Sequence, residues 1–220
     1  MKAGALLLAA ALPLAAAQQP PQASAAGKQP SQAERLVFEQ AHLSNVRGAR
    51  ALRYRYVEEA QGQPPVTDHA VLTLRPDAGG RCCDVHADYL SGANAVTLPD
   101  IPAARANPVL LYFLEGEVRR LQRTTRGQTA HFRRLMRQAL ADAATVTEEP
   151  IRWGARSVPA RTVRFTPFVT DVHRDRFPDQ AETEYVFVFS EAVPGGVLRL
   201  DAAVPGGTLR RTLTLEETNP

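Results

Sequence analysis

The chain of 220 residues is 44% hydrophobic and 22% charged, and its formal net charge is +3 at pH 7. Its length suits a single domain with one hydrophobic core. The net charge is too small to favour binding to nucleic acid, and no nucleic-acid partner is predicted.

Residues 1–17 have the three parts of a secretory signal peptide. Met1-Lys2 is a short positive start, Ala3 to Leu14 is an apolar run, and Ala15-Ala16-Ala17 is the small-residue pattern that a signal peptidase cuts. We therefore predict cleavage near Ala17 and a periplasmic or secreted mature protein. No cysteine follows this cut, which argues against a lipoprotein anchor, and no transmembrane segment is expected in the mature chain.

Residues 18–32 are rich in Gln, Pro, Ala and Ser and are predicted to be a disordered linker, while residues 33–220 are expected to form a single α+β domain. A leading helix is predicted at the start of this domain. Ser31 and Glu34 have the spacing of a capping box, and apolar residues then recur at helical intervals as far as the stop at 45–48.

A block of strands follows the leading helix. Leu52, Tyr54 and Tyr56 alternate with arginines, which is the period-two pattern of a strand with one dry and one wet face. Further strands are predicted at Val66–Arg75, at Cys82–Leu90 and, as a short fourth strand, at Ala95–Leu98. Strands joined by short turns favour an antiparallel meander.

The adjacent cysteines Cys82 and Cys83 lie at the start of the third predicted strand. Neighbouring side chains of a strand point to opposite faces, so we expect no disulfide between them. Cys83 is expected in the core and Cys82 as a weakly exposed thiol. A thiol that pairs with another chain or senses redox state is the alternative.

Two helices are predicted in the segment 107–143. Asn107 and Pro108 suit the first turn, and Leu110, Leu114, Val118 and Leu121 recur on one face before Gly127 stops the helix. A second helix with its own apolar face begins near Thr129. Together they form a helical hairpin.

Five β-rich runs follow the hairpin, separated by turns that contain Pro or Gly. Two of these turns repeat the sequence Ala-Val-Pro-Gly-Gly, at 192–196 and 203–207. The predicted fold is a large curved antiparallel sheet of about eight or nine strands, an open half-barrel. The N-terminal helix and the hairpin are expected to cover its concave side, because a sheet this large must close or be plugged.

This order of elements resembles that of periplasmic lipoprotein carriers of the LolA and LolB type, whose open barrel holds acyl chains beneath a helical lid. The stretch Asn107 to Glu115, with His131-Phe-Arg-Arg and Tyr185-Val-Phe-Val-Phe-Ser, also resembles uncharacterised exported proteins of proteobacteria. The first resemblance implies a bound lipid or lipoprotein acyl chain. The second implies no activity and no functional residue.

The sequence has no Gly-x-Ser-x-Gly, His-Glu-x-x-His or phosphate-cradling loop, so we predict a protein that is not an enzyme and needs no cofactor. The first hypothesis is an exported protein that binds an apolar or amphiphilic ligand between the sheet and a helical lid. The candidate ligand-binding residues are aromatic: Tyr54, Tyr56, Phe113, Tyr185, Phe187 and Phe189.

The alternative is an envelope scaffold or interaction protein with a filled core, which docks a partner protein through an arginine-rich helix face. That face consists of Arg119, Arg123, Arg126, Arg133 and Arg137, which recur at intervals of three and four residues on the two predicted helices. Its guanidinium groups suit lipid phosphates, lipopolysaccharide or an acidic protein.

Two polar clusters complete the candidates. Asp84, His86 and Asp88 alternate onto one strand face and are weak metal-ligand candidates, provided that His69 of the preceding strand lies opposite them; a solvated face has the same spacing. No metal is predicted. The second cluster, within 171–176, is interpreted as a charged loop with local ion pairs.

Overall fold

A computed structural model describes residues 29–46, 50–76, 82–207 and 209–216. The predicted signal peptide and residues 18–28 of the predicted linker lie outside these ranges. The strands are β1 (Arg50–Ala60), β2 (Val66–Pro76), β3 (Cys82–Tyr89), β4 (Thr145–Trp153), β5 (Arg156–Phe165), β6 (Glu184–Phe189), β7 (Val197–Ala203) and β8 (Leu209–Leu215). The α-helices are α1 (Gln32–Glu34), α2 (Val109–Thr125), α3 (Thr129–Asp142) and α4 (Pro178–Ala181).

Within the described ranges, the eight strands form one open antiparallel sheet in the order β3-β2-β1-β8-β7-β6-β5-β4. The strand blocks before and after the hairpin meet where β1 pairs with β8, with Tyr54 opposite Leu215 and Tyr56 opposite Leu213. Apolar side chains alternate along both strands, so this register places both apolar rows on the same face. The predicted α+β fold with one large antiparallel sheet is therefore confirmed.

The helical hairpin crosses this sheet because of its position in the chain. Helices α2 and α3 connect β3 to β4, which are the two edge strands and lie about 34 Å apart at about 4.8 Å per strand spacing. At the start of α2, Val109 N–H donates to Asn107 Oδ1 over 3.1 Å. The helix ends at Thr125, before the left-handed Arg126 and the predicted stop at Gly127.

The leading helix begins as predicted and then breaks. Glu34 N–H donates to Ser31 Oγ (3.0 Å) and Ser31 N–H donates to Glu34 Oε2 (2.8 Å), which confirms the capping box. Beyond α1 the chain forms a π-helical turn, Arg35–Glu39, and then a separate 3-10 turn, His42–Asn45. Asn45 Nδ2 donates to Val193 O (2.7 Å), so contacts with the loop after β6 override the helical pattern there.

The prediction of a fourth short strand at Ala95–Leu98 is wrong. This segment is irregular, and the bridge to β3 falls further along, between Val85 and Ile101. Pro99 and Pro102 flank that bridge, and proline has no N–H to extend a ladder.

The prediction that Cys82 and Cys83 would not bridge is also wrong. The two residues are joined by a disulfide across a cis peptide bond, with their Cα atoms 3.1 Å apart. Neighbouring Cα atoms are about 3.8 Å apart across a trans peptide, and strand alternation does not apply at a cis bond. Cys83 is buried in the core, as expected.

The core lies between the helices and one face of the sheet. At the β5 and β6 side, α3 contributes Phe132, whose ring meets Phe168 and Phe177 edge to face at 5.8 Å. Phe168 in turn meets Tyr185 of β6 at 6.3 Å. The loop between β5 and β6 thus joins the hairpin to the sheet through aromatic contacts.

The two copies of Ala-Val-Pro-Gly-Gly offer a matched test of packing. Gly195 and Gly206 occupy the same place in the repeat and have φ of +74° and +85°. An added Cβ at Gly195 collides with the Leu52 side chain and lies 2.9 Å from Asn107 Nδ2, whereas Gly206 has open space. We expect G206A to cost about 1 kcal/mol and G195A about 2–4 kcal/mol in urea unfolding. Equal losses would contradict the close packing at Gly195.

Candidate functional site

The six predicted ligand-binding aromatics all lie between the sheet and the helices. Each is at most 3% exposed. Phe113 of α2 meets Phe187 of β6 edge to face at 5.8 Å, and Phe165 of β5 stacks on Tyr185 at 5.2 Å. The remaining members are separated from this cluster: Tyr54 and Tyr56 lie on β1, and Phe189 lies under the N-terminal segment.

This layer is closed in the structure. Beside Tyr56, Phe113 and Glu117 the free space amounts to a cavity of about 10 Å³, which is about the room that one water molecule needs. The aromatic side chains therefore fill the layer with their own contacts. A ligand of lipid size reaches them only when the hairpin moves away from the sheet.

A buried ion pair joins the hairpin to the middle of the sheet. Arg211 of β8 donates from Nε and Nη2 to the two carboxylate oxygens of Glu117 of α2, over 2.6 and 2.5 Å. The side chains are 4% and 6% exposed. Tyr185 Oη donates to the same carboxylate over 3.3 Å. Burial alone would lower the pKa of Arg211, but the Glu117 carboxylate raises it, so the pair is charged.

A second ion pair lies at the rim of the layer, one helical residue row from the first. Arg120 of α2 pairs with Glu58 of β1, and Tyr56 Oη donates to the same carboxylate over 2.7 Å. Both charged side chains are about one-fifth exposed. Burial, with the neighbouring carboxylate of Glu58, raises the pKa of Tyr56 above its usual range, so this phenol remains protonated.

A third polar contact holds the start of α2 against β1. Asn107 Nδ2 donates to Tyr54 Oη (2.9 Å), and Tyr54 Oη donates to Val197 O (3.1 Å). Asn107 N–H donates to His42 Nδ1 over 3.2 Å, which requires an unprotonated Nδ1. His42 stacks on Phe189, and burial lowers its pKa to about 4.

Sequence reasoning missed Glu117 and Arg211, although both carry a signal. Glu117 falls on the apolar row of α2, four residues after Phe113 and four before Leu121. Arg211 alternates with Leu209 and Leu213 on the buried face of β8. Opposite charges in phase with two apolar faces that pack together indicate a buried pair.

The five predicted face arginines lie on the outer side of the hairpin. Glu115 of α2 accepts hydrogen bonds from Arg119 (3.1 Å) and from Arg133 of α3 (2.8 and 3.0 Å), so this carboxylate links the two helices. The other three, Arg123, Arg126 and Arg137, are exposed. Within the described part of the chain they form no ion pair.

The predicted metal-ligand candidates do not assemble. His86 Nδ1 is 2.7 Å from Asp100 Oδ1, Asp88 is 3.6 Å from the other ring nitrogen, and Asp84 accepts from Ala103 N–H. The residue opposite His86 is Thr73 and not His69, because the β2–β3 register is offset from the expected one. Among described residues no group of three or more His, Cys, Asp or Glu is arranged to hold a metal ion.

The charged loop at 171–176 attaches to α3. Asp171 is buried, and its Oδ2 lies 2.7 Å from His131 Nε2. Burial alone would raise the pKa of Asp171, but the hydrogen bonds from His131 and from His173 N–H hold it below its usual value. The loop is thus anchored by a carboxylate that stays ionised.

Comparison with known proteins places the chain near two solved structures. One is the Mycobacterium tuberculosis lipoprotein LppX, with a TM-score of 0.35 and 10% identity over 86% of this chain and 99% of that chain. The other is a LolA superfamily protein from Nitrosomonas europaea, with a TM-score of 0.21 and 8% identity over 84% of this chain and 93% of that chain. We infer nothing about function from likenesses this distant.

No protein-family model matches the sequence, and no curated protein matches it. A LolA superfamily structure is among those found, as the resemblance in arrangement led us to expect. The expected membership of a proteobacterial family of exported proteins receives no support from these comparisons. None of the helices in the described residues has both the length and the apolar character to cross a membrane.

The buried pair predicts opposite effects of single and double replacement. E117Q leaves the Arg211 charge buried without its partner, so we expect a loss of about 3–5 kcal/mol in unfolding free energy. The double variant E117L/R211L removes both charges, and we expect it to be neutral or more stable by about 1–4 kcal/mol.

Urea unfolding measures both effects. E184Q is the control, because it breaks the exposed pair with Arg164 (3.8 Å) and is expected to change stability by no more than about 1 kcal/mol. A double variant as unstable as E117Q would contradict a role for the unpaired charge.

His42 predicts a loss of stability in mild acid. Above pH 6.5 it is neutral in both the folded and the unfolded chain; between about pH 6.5 and 4 only the unfolded chain takes up the proton. We expect this residue to lower the unfolding free energy by about 3 kcal/mol across that window. H42N, whose Oδ1 can accept from Asn107 N–H, should flatten this part of the profile. An unchanged slope in H42N would refute the assignment.

Proposed function

We propose that this protein is an exported, non-enzymatic binding protein that holds an apolar or amphiphilic ligand between its sheet and its helices. The ligand class is a lipid or the acyl chain of a lipoprotein. Export rests on the predicted signal peptide at residues 1–17, and the ligand class rests on the aromatic layer beneath α2 and α3. The closed structure is then the ligand-free state.

The observation that carries this proposal is the mixed chemistry of the layer. Aromatic side chains supply an apolar face, but the contact between α2 and the middle of the sheet runs through the Glu117–Arg211 pair. Desolvation offsets much of the attraction within a buried ion pair. A hairpin held this way is released from the sheet at a lower free energy than one held by apolar contacts alone.

Opening of the hairpin also suits an amphiphile. When α2 moves away, Arg211 loses its carboxylate partner, and the face that carries Tyr185 and Phe187 becomes accessible. An anionic head group can then replace Glu117 at the guanidinium, while the acyl chain covers the aromatic rings. Both ends of the ligand thus find a matching surface.

A second function is favoured by one observation, the filled interior. If the cavity beside Tyr56, Phe113 and Glu117 stays near 10 Å³, the protein is an envelope interaction protein that docks a partner through its arginine-rich face. The two functions differ in whether α2 and α3 separate from the sheet as a unit. The hydrogen exchange of the helix amides distinguishes them, because local opening exposes them below the free energy of global unfolding.

The carrier hypothesis makes a prediction for the double variant E117L/R211L. An apolar replacement keeps α2 on the sheet, so we expect slower hydrogen exchange in α2 and α3 and at least tenfold weaker uptake of a fluorescent fatty acid than in the natural protein. The surface variant E184Q is the control and should behave as the natural protein does.

Native mass spectrometry of protein purified from its own envelope adds a direct observation, since a carrier retains bound lipid. Protein that copurifies with no lipid, and whose α2 and α3 amides exchange only through global unfolding, would instead support the interaction protein.

A further inference from the structure

The outer side of the hairpin has a charge that its own contacts do not neutralise. Five arginines lie on it, and Glu115 is the carboxylate among them. Glu115 is partly shielded from solvent, but its bonds to Arg133 and Arg119 hold its pKa below the usual value, so it cancels one positive charge. The nearest other carboxylates are at the margins: Asp142 at the end of α3 and Glu34, which is held by Ser31 N–H.

The three arginines without an ion pair are spread over both helices. Arg123 and Arg126 lie on the last turns of α2, and Arg137 lies in the second half of α3. Since the helices are antiparallel, Arg137 and the pair Arg123 and Arg126 lie towards opposite ends of the face. The positive charge is therefore distributed along the hairpin and not focused on one point.

We propose that this face docks on an anionic lipid surface. Distributed guanidinium groups match an array of phosphate head groups, each of which accepts bidentate hydrogen bonds from arginine. Interfaces between proteins are centred on buried aromatic or aliphatic anchors. On the described hairpin the one exposed large hydrophobic residue is Leu111, which is 52% exposed and lies at the far end of α2 from Arg126.

Leu111 fits a lipid surface better than a protein interface. It is one helical turn before Glu115 and two before Arg119, so it lies in the same row as the arginines. At a membrane surface an isolated leucine beside arginines enters the head-group region while the charges remain at the phosphates. The docking needs no movement of α2 and α3, so it does not depend on ligand uptake into the interior.

Binding to vesicles tests this proposal. The purified protein is sedimented with vesicles of phosphatidylcholine alone and with vesicles that also contain phosphatidylglycerol, at low and at physiological salt. We expect binding to the anionic vesicles only, and weaker binding at higher salt. R123Q/R126Q/R137Q should bind about a hundredfold more weakly, because each arginine near an anionic surface contributes about a fivefold factor.

A charge-matched control separates this face from net charge. R55Q/R152Q/R176Q removes three exposed arginines that lie away from the hairpin and form no ion pair in the described ranges, and it should bind nearly as the natural protein does. L111S should weaken binding severalfold without changing its salt dependence. E117L/R211L should bind anionic vesicles normally, which keeps this outcome separate from that of ligand uptake.

Three results would overturn the proposal. The first is no binding of the natural protein to anionic vesicles at physiological salt. The second is an equal loss of binding in both triple variants, which would reduce the effect to net charge. The third is binding of poly-glutamate but not of vesicles, with the loss confined to R123Q/R126Q/R137Q, which would assign the face to an acidic protein.

Discussion

The pairing of β1 with β8 is the constraint on which the rest of this structure depends. It joins the first and last strands in the middle of the sheet, and as a result β3 and β4 become the two edges. The segment between those edges has to cross one face of the sheet, and its apolar rows have to meet the apolar rows of β1, β6 and β8. The position of the hairpin and the composition of the layer beneath it both follow from this one ladder.

The chemistry of that layer determines how firmly the hairpin is held, and this is the property in which a carrier and an interaction protein differ. A layer built only from Tyr, Phe and Leu would hold the hairpin through apolar contacts that grow with the area buried. In this protein an ion pair, a rim pair and an asparagine bond are placed among those contacts. Such polar groups specify one alignment of hairpin and sheet, and they add less to the strength of adhesion than apolar groups of the same volume.

Much of the fold is predictable because it follows from local period. Alternation at Leu52, Tyr54 and Tyr56 and helical spacing at Leu110, Leu114 and Val118 identify elements without any knowledge of neighbours. The errors arise where a distant contact decides the outcome: Asn45 is bound by the loop after β6, and Ile101 takes the place next to β3 that the sequence pattern favours for Ala95–Leu98. The aromatic residues of the layer are predictable from their faces, whereas the pairing of Glu117 with Arg211 requires knowing that α2 lies over β8.

The central position of the last described strand has a consequence for how the chain acquires its structure. Until β8 has been added, β1 has an open edge and the two halves of the sheet are separate. Bringing together segments from opposite ends of a domain is slow, because a long loop must be closed before any contact compensates for the lost chain entropy. A polypeptide with this connectivity stays unfolded until synthesis is nearly complete, which is the condition that threading through a narrow translocation pore demands.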